Sequence, residues 1–295
     1  CGEGGSICVI AGDGGGIDKT GASVCIRAGK MLGEESPGGK VLLQGGDSGG
    51  ETEFAVGGNV VVHAGNAAAS TGGSLCLSSG SSAFQSSGNI CVSTPDGPTS
   101  GTISVMTGKA STGPSGSLVI GSSRSAGGPG GSVELVVGAA GAGPGGDVRI
   151  ASGSTSSGQS AGVVQIAGGV AGEEAGSGGA VDIRGGSSMM SSGGSVSVCS
   201  GKGGLSSGSV SFGSSDAQEA GASGIVCLGT GKTVSGASGG LQLQTGSSTN
   251  GRTGDIRLGV GESGEGGGGC VSINAGNVLA TEGTASGGDL VASAG

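Results

Sequence analysis

A short repeated unit, G-x-[VIL]-x-[VIL]-x-x-G, limits what this chain can fold into more than any other feature of its sequence. Residues 194–201 show the repeat in full, with a glycine at each end and with Val196 and Val198 between them. The commonest spacing between neighbouring repeats is 15 residues, and the other spacings range from 13 to 19. A period this short, sustained along the whole chain, predicts a solenoid of stacked repeats. The first apolar residues of the repeats are Ile7, Val24, Val41, Val60, Leu75, Ile90, Ile103, Leu118, Val133, Val148, Val164, Val181, Val196, Val210, Val226, Leu241, Ile256, Val271 and Leu290.

Almost every repeat places a second apolar residue, usually Val, Ile or Leu, two positions after the first. Apolar and other residues alternating at a period of two, with many β-branched side chains, predict a half-buried strand. Glycine between the strands permits the positive φ angles of tight turns, and so many glycines exclude helices. The predicted fold is therefore all-β. It is a parallel β-solenoid of about 19 coils with roughly 15–16 residues and one main strand per coil, the coils stacked about 4.8 Å apart.

A coil of two repeats, with two strands in two facing sheets, is the alternative architecture. The residues between the paired apolar positions favour one repeat per coil, because similar residues follow one another along the chain. Glu134 and Arg149, for example, hold this position in consecutive repeats and would be a favourable pair on a ladder.

The repeat continues without a shift of composition over residues 1–295, which predicts one continuous repeat domain. The chain opens on Cys1 rather than Met, so we expect a segment of a longer or polymerising protein. The predicted core consists of the apolar pairs of five central repeats, which are Val133, Leu135, Val148, Ile150, Val164, Ile166, Val181, Ile183, Val196 and Val198.

Two apolar residues per repeat are too few to hold a coil on their own. Burying one Val, Ile or Leu contributes roughly 1.5–3 kcal/mol, whereas ordering one residue costs about 1–2 kcal/mol of backbone entropy. With 78 Gly, three Phe and neither Trp nor Tyr, the chain cannot build a conventional globular core. Its stability must come from ladders between coils, from further packing of loop residues or from neighbouring chains.

The residue between the two apolar positions changes character along the chain. It is mostly apolar through the first eight repeats and mostly polar or charged from Glu134 onward. On a solenoid this residue would point outward and form an apolar stripe, which is typical of a contact with another copy or another chain. The alternative is that the chain's own loops cover the stripe as a local second layer. The candidate assembly face consists of Cys8, Cys25, Leu42, Val61, Cys76, Cys91 and Val119.

Two pairs of cysteines are candidate disulfides. Cys8 and Cys25 hold the same position in consecutive repeats, as do Cys76 and Cys91, so each pair would meet across one ladder step. The pairs would form in an oxidising compartment, and the alternative is that each Cys is a small buried apolar residue. Because no C-x-x-C motif is present and the chain has one His, the sequence predicts no metal site.

Charge and motifs argue against several classes of function. The formal charge is −9 with only 11% charged residues and no basic patch, which predicts no nucleic-acid partner. No apolar run approaches roughly 18 residues, so we expect no membrane span. Residues 46–50 (Gly-Asp-Ser-Gly-Gly) match the nucleophile motif of chymotrypsin-like serine proteases, but His63 follows the serine, whereas the base precedes it in that family. The sequence therefore predicts no enzyme and no cofactor.

In its periodicity the chain resembles Gly/Ser-rich β-solenoid repeat proteins, an architectural class that includes secreted adhesin shafts, some ice-binding proteins and extracellular fibre subunits. The resemblance implies a secreted structural protein, located outside the cell or on its surface. We expect a rigid, rod-like subunit of an extracellular filament, fibre or surface appendage, which assembles with copies of itself or with other fibre proteins through its apolar sheet face and open solenoid ends. The alternative is an ice- or carbohydrate-binding solenoid module or an adhesin shaft, although Thr is sparse here and ice-binding solenoids carry regular Thr arrays.

Overall fold

The computed structural model describes residues 5–15, 20–33, 37–50, 54–172, 176–217, 221–278 and 286–293. Within these ranges the chain contains no helix and no strand, and bends occur mainly in the segments that link the repeats. The chain divides into two units, Cys1–Gly146 and Asp147–Gly295. A single continuous repeat domain over residues 1–295 stays a prediction.

The predicted parallel β-solenoid is wrong, because no strand ladder joins successive repeats in the described part of the chain. In a one-repeat coil, backbone hydrogen bonds would join equivalent positions about 15 residues apart. Here the carbonyl oxygen of Gly65, which ends one repeat, accepts a hydrogen bond from the N–H of Gly73, which opens the next, at 2.8 Å. This hydrogen bond joins the two ends of one linking loop and does not pair equivalent positions of successive repeats. The choice between one and two repeats per coil therefore no longer arises.

The same loop closure, here named the glycine clasp, recurs in both units. Donor and acceptor are separated by 7 to 12 residues along the chain, and the donor–acceptor distances are 2.8–3.3 Å. All but one of the donors, Ala22, are glycines. The clasps join Gly12 with Ala22, Gly29 with Gly39, Gly46 with Gly58, Gly65 with Gly73, Gly80 with Gly88, Gly153 with Gly162, Gly169 with Gly179, Gly186 with Gly194, Gly201 with Gly208 and Gly276 with Gly288.

Glycine is required at one side of several clasps because two backbone segments approach closely there. A Cβ atom built on Gly185 would collide with the carbonyl oxygen of Gly194, whereas a Cβ on Gly186 would meet nothing within 4 Å. In the same way, a Cβ atom on Gly45 would collide with the carbonyl oxygen of Gly58, and one on Gly168 with that of Gly179. The glycine doublet before the loop is therefore asymmetric: its first residue allows the approach, and its second accepts the hydrogen bond.

Serine side chains form the bends inside several loops. In each case a hydroxyl oxygen accepts the backbone N–H of the third residue on, at 2.9–3.1 Å, which is a turn typical of Ser and Thr. Because these bonds are local, they shape one loop without connecting repeats. The accepting residues are Ser82, Ser125, Ser188, Ser248 and Ser263.

No hydrophobic side chain of the described residues is buried. The accessible surface of the chain is 29094 Å². A folded monomer of this length would expose about 11,000 Å² and its unfolded chain about 39,000 Å². The described part of one copy therefore closes loops without burying an apolar core.

Candidate assembly surface

Side chains two residues apart contact each other in several repeats, which shows that these segments are extended. Arg149 donates to Asp147 at 2.9 Å, and Arg184 Nε donates to Asp182 at 2.9 Å. The same spacing joins Gln242 with Gln244, Arg257 with Asp255, and Asn274 with Ser272. In extended backbone, residues i and i+2 lie on one side and residue i+1 on the other. The paired apolar residues therefore lie on one side, here named the apolar face, and the contacting polar residues lie on the opposite side, named the second face.

The apolar face has nearly the same environment from the second repeat to the eighteenth. From Val24 to Val271, the first apolar residue of each repeat is 46–62% exposed, and from Val9 to Ile273 the second is 58–75% exposed. Such narrow ranges indicate that the repeats share one local conformation. The face is thus a regular series of exposed apolar pairs.

The ten residues predicted as a core lie on this face and are not buried. Their exposed fractions range from 47% at Val164 to 74% at Leu135, so they form no buried core within the described part of one copy. The reason is the missing ladder: without a neighbouring repeat above or below, nothing within the described chain covers the pair. The residues are Val133, Leu135, Val148, Ile150, Val164, Ile166, Val181, Ile183, Val196 and Val198.

The candidate assembly face predicted from the sequence lies on the second face. Leu42 and Val61 are about two-thirds exposed, and Val119 is 87% exposed. Cys8, Cys25, Cys76 and Cys91 are exposed as well. These residues are accessible to a partner, and their role in assembly stays a prediction.

The cysteines hold similar positions relative to the apolar residues of their own repeats. Seven of them have free, exposed thiols, and each stands next to a residue of the apolar face, which places it on the second face. Ser197 and Cys199 contact each other there at 3.7 Å between Oγ and Sγ. Both members of each predicted pair, Cys8–Cys25 and Cys76–Cys91, have free thiols here. The ladder that gave the geometric reason for expecting these disulfides is absent from the described residues. The two disulfides stay predictions. Cys1 lies outside the described residues.

Charged residues of the second face pair within a repeat. Arg149 bonds to Asp147 of its own segment, so the ladder contact predicted between Glu134 and Arg149 is not made. Arg184 pairs with Asp182 in the same way. The paired side chains are largely exposed, and ion pairs of this kind contribute about 0–1 kcal/mol. Each ion pair has no net charge, and its contribution to stability is too small to determine the fold.

The Gly-Asp-Ser-Gly-Gly motif, which matches a protease nucleophile sequence, begins in a linking loop. Gly46 of the Gly-Asp-Ser-Gly-Gly sequence accepts the clasp bond from Gly58, and the exposed His63 belongs to the next repeat. In the part of the chain that the structure describes there is no pocket and no group of three or more potential metal ligands. No described segment forms a helix that is long and apolar enough to cross a membrane.

No protein-family model, no curated protein and no solved structure matches this chain. The resemblance to extracellular fibre proteins therefore stays a prediction. The function has to be inferred from the chemistry of the apolar face and the second face themselves.

Proposed function

We propose that this protein is a structural protein that assembles with copies of itself into an extracellular filament or surface appendage. The observation that carries the proposal is the regular apolar face, which stays exposed in a chain whose described residues bury no core. Exposed apolar surface of this extent is typical of a contact with another molecule. Self-assembly thus remains the proposed function, without the solenoid rod.

The apolar face is large enough to hold two copies together. One apolar pair exposes on the order of 100 Å² of apolar surface, taken from the transfer energy of Val, Leu and Ile. A stable interface needs about 800 Å² from each partner, which about eight repeats would supply. The chain has nineteen repeats.

A second copy of this chain is the partner that we propose. Every copy carries the same series of exposed apolar pairs, so two copies can cover each other's pairs. Electrostatic repulsion is weak because only 11% of the residues are charged.

The proposal is tested by substituting the apolar face and, separately, the apolar residues of the loops. In the first variant, the ten residues predicted as a core are each replaced by Thr. The control variant carries Ser at five loop residues that are almost fully exposed but lie outside the apolar face: Phe84, Met189, Met190, Leu205 and Val234.

Sedimentation velocity in the presence of a reductant compares the two variants with the unchanged chain. We expect the unchanged chain and the loop variant to associate and the apolar-face variant to stay monomeric. Equal association of the two variants would refute the role of the apolar face. Retention of a monomeric unchanged chain on ice or insoluble polysaccharide would favour the binding module instead.

A further inference from the structure

The glycine clasps separate loops of variable length from segments of constant length. Wherever clasps close the loops on both sides of a repeat, eight residues run from the donor of one clasp to the acceptor of the next, whereas the loops differ in length. Residues 58–65, 73–80 and 194–201 are examples, and each carries one apolar pair. We name these eight-residue stretches the repeat segments. The uneven spacing of the repeats therefore lies in the loops, and the segments are alike.

The backbone inside the repeat segments is open to pairing. Among the described residues, the ten clasps are the only hydrogen bonds between two backbone groups, and each clasp uses only the end residues of a segment. The N–H and C=O groups of Val196 to Val198, for example, have no protein partner within the described chain. In extended backbone such groups point to the two edges of the segment. Unpaired edges of this kind readily pair with another chain.

The sequence keeps proline out of the interior of the segments. Proline has no N–H and would interrupt a ladder of backbone hydrogen bonds. Each segment starts two residues before the first apolar residue of its repeat and ends five residues after it. By this definition five of the prolines lie in loops and one, Pro95, takes the last position of a segment. The six prolines are Pro37, Pro95, Pro98, Pro114, Pro129 and Pro144.

We propose that the repeat segments pair with segments of other copies through backbone hydrogen bonds, which builds between chains a sheet that a single chain does not contain. This inference rests on the function proposed above and names the contact that carries it. The partner has to supply extended backbone of matching length, and another copy does so many times, since the chain has nineteen repeats. In strand addition of this type, backbone hydrogen bonds hold the partner and alternate side chains select it.

Pairing between segments allows an assembly to keep growing. A segment has two edges, so pairing at one edge leaves the other free for the next copy. Where paired segments turn their apolar residues to the same side, a second sheet can cover these residues in a dry interface. Because each segment pairs by itself, the contact requires neither a fixed arrangement of the two units nor one common register along whole chains.

Amide hydrogen exchange of the full chain in reductant, before and after association, tests the proposal segment by segment. We expect exchange at Val196, Ser197 and Val198 to slow by roughly tenfold or more on association, the effect of about one hydrogen bond. Exchange at Ser192, in the adjoining loop, should stay fast. Fibre diffraction of the associated chain should show the strand spacing of about 4.7–4.8 Å. Unchanged exchange inside the segments, or no such spacing, would refute the pairing.

Proline variants distinguish backbone pairing from apolar packing, because they leave every apolar pair in place. Proline between the two apolar residues keeps the preceding residue extended but removes one N–H. The segment variant carries Pro at Glu134, Arg149, Gln165, Asp182 and Ser197, and the loop variant carries Pro at Ser111, Ala126, Ala140, Ser156 and Ser192. We expect the segment variant to lose the exchange protection of its five substituted segments and the loop variant to keep it. Equal protection in the two variants would contradict the proposal.

The same measurements separate failure of this inference from failure of the proposed function. If the unchanged chain associates in sedimentation but its segments gain no protection, the sheet between chains is refuted and self-assembly through the apolar face stands. If the unchanged chain stays monomeric in reductant, the proposed function itself fails.

Discussion

Gly185 and Gly194 lie so close together across their loop that a methyl group on Gly185 would overlap the carbonyl oxygen of Gly194. A methyl group on the neighbouring Gly186 would meet no atom within 4 Å. The carbonyl oxygen of Gly186 accepts a hydrogen bond from the N–H of Gly194 at 2.8 Å. The repeat thus uses its two glycines differently, although the sequence shows only a doublet.

Gly185→Ala should open this clasp, whereas Gly186→Ala should leave it closed. The substitution at Gly185 forces the two backbone segments apart and removes one hydrogen bond, a loss of about 0.5–1.5 kcal/mol. Amide hydrogen exchange at Gly194 measures the effect, and we expect it to accelerate by roughly two- to tenfold in the Gly185 variant. Equal exchange in the two variants would show that close approach does not determine the clasp.

Ser188→Ala should loosen the bend of the same loop. The Ser188 hydroxyl accepts the N–H of Ser191 at 3.0 Å, so its removal returns that amide to water. Because the site is exposed, we expect a cost near the lower end of hydrogen-bond values, about 0.5 kcal/mol. Exchange at Ser191 should rise in this variant and stay unchanged in Ser187→Ala, and a similar rise in both would contradict the assignment.

Ile183→Asp should weaken self-association, whereas Asp182→Asn should not. Ile183 lies on the apolar face, where a covered carboxylate would lose its water shell. Asp182 lies one residue earlier, on the second face, in an exposed ion pair that contributes little. Sedimentation of the two variants in the presence of reductant compares the two sides of one repeat, and the opposite order of effects would assign assembly to the second face.

Self-association should respond to temperature and salt in the way that the burial of apolar surface does. Hydrophobic association weakens on cooling and strengthens with sulfate, which is excluded from the protein surface. Sodium chloride should have little effect, because only 11% of the residues are charged. Light scattering follows these changes, and dissociation by moderate sodium chloride would indicate an electrostatic contact instead.

The half-buried strand that the alternation predicted for each repeat was wrong, since the described residues contain no strand and no buried apolar side chain. Contacts such as that of Arg149 with Asp147 show that the backbone of that repeat is nevertheless extended. The period of the sequence does not say whether one repeat pairs with the next, and that is where the solenoid prediction failed. The energy estimate for two apolar residues per repeat already indicated that a coil could not stand alone, and the exposed fractions of those residues agree with it.

The loop structure was missed, although a signal for part of it was present. Ser82, Ser188, Ser248 and Ser263, which form bends, each stand two residues after a glycine. A Gly-x-Ser pattern after the repeat therefore marks the bend. The asymmetry of the Gly185–Gly186 doublet has no sequence signal, because it depends on which backbone atom lies across the loop.

In the assembly that we propose, the apolar face, open in one chain, is covered by other copies. Sedimentation velocity of the reduced full chain over a series of protein concentrations tests this most directly. We expect the weight-average sedimentation coefficient to rise with concentration above the value of a single chain, since association covers apolar pairs. A single, concentration-independent monomer that unfolds cooperatively on heating would contradict the claim, because such a chain would have to cover its apolar pairs by itself.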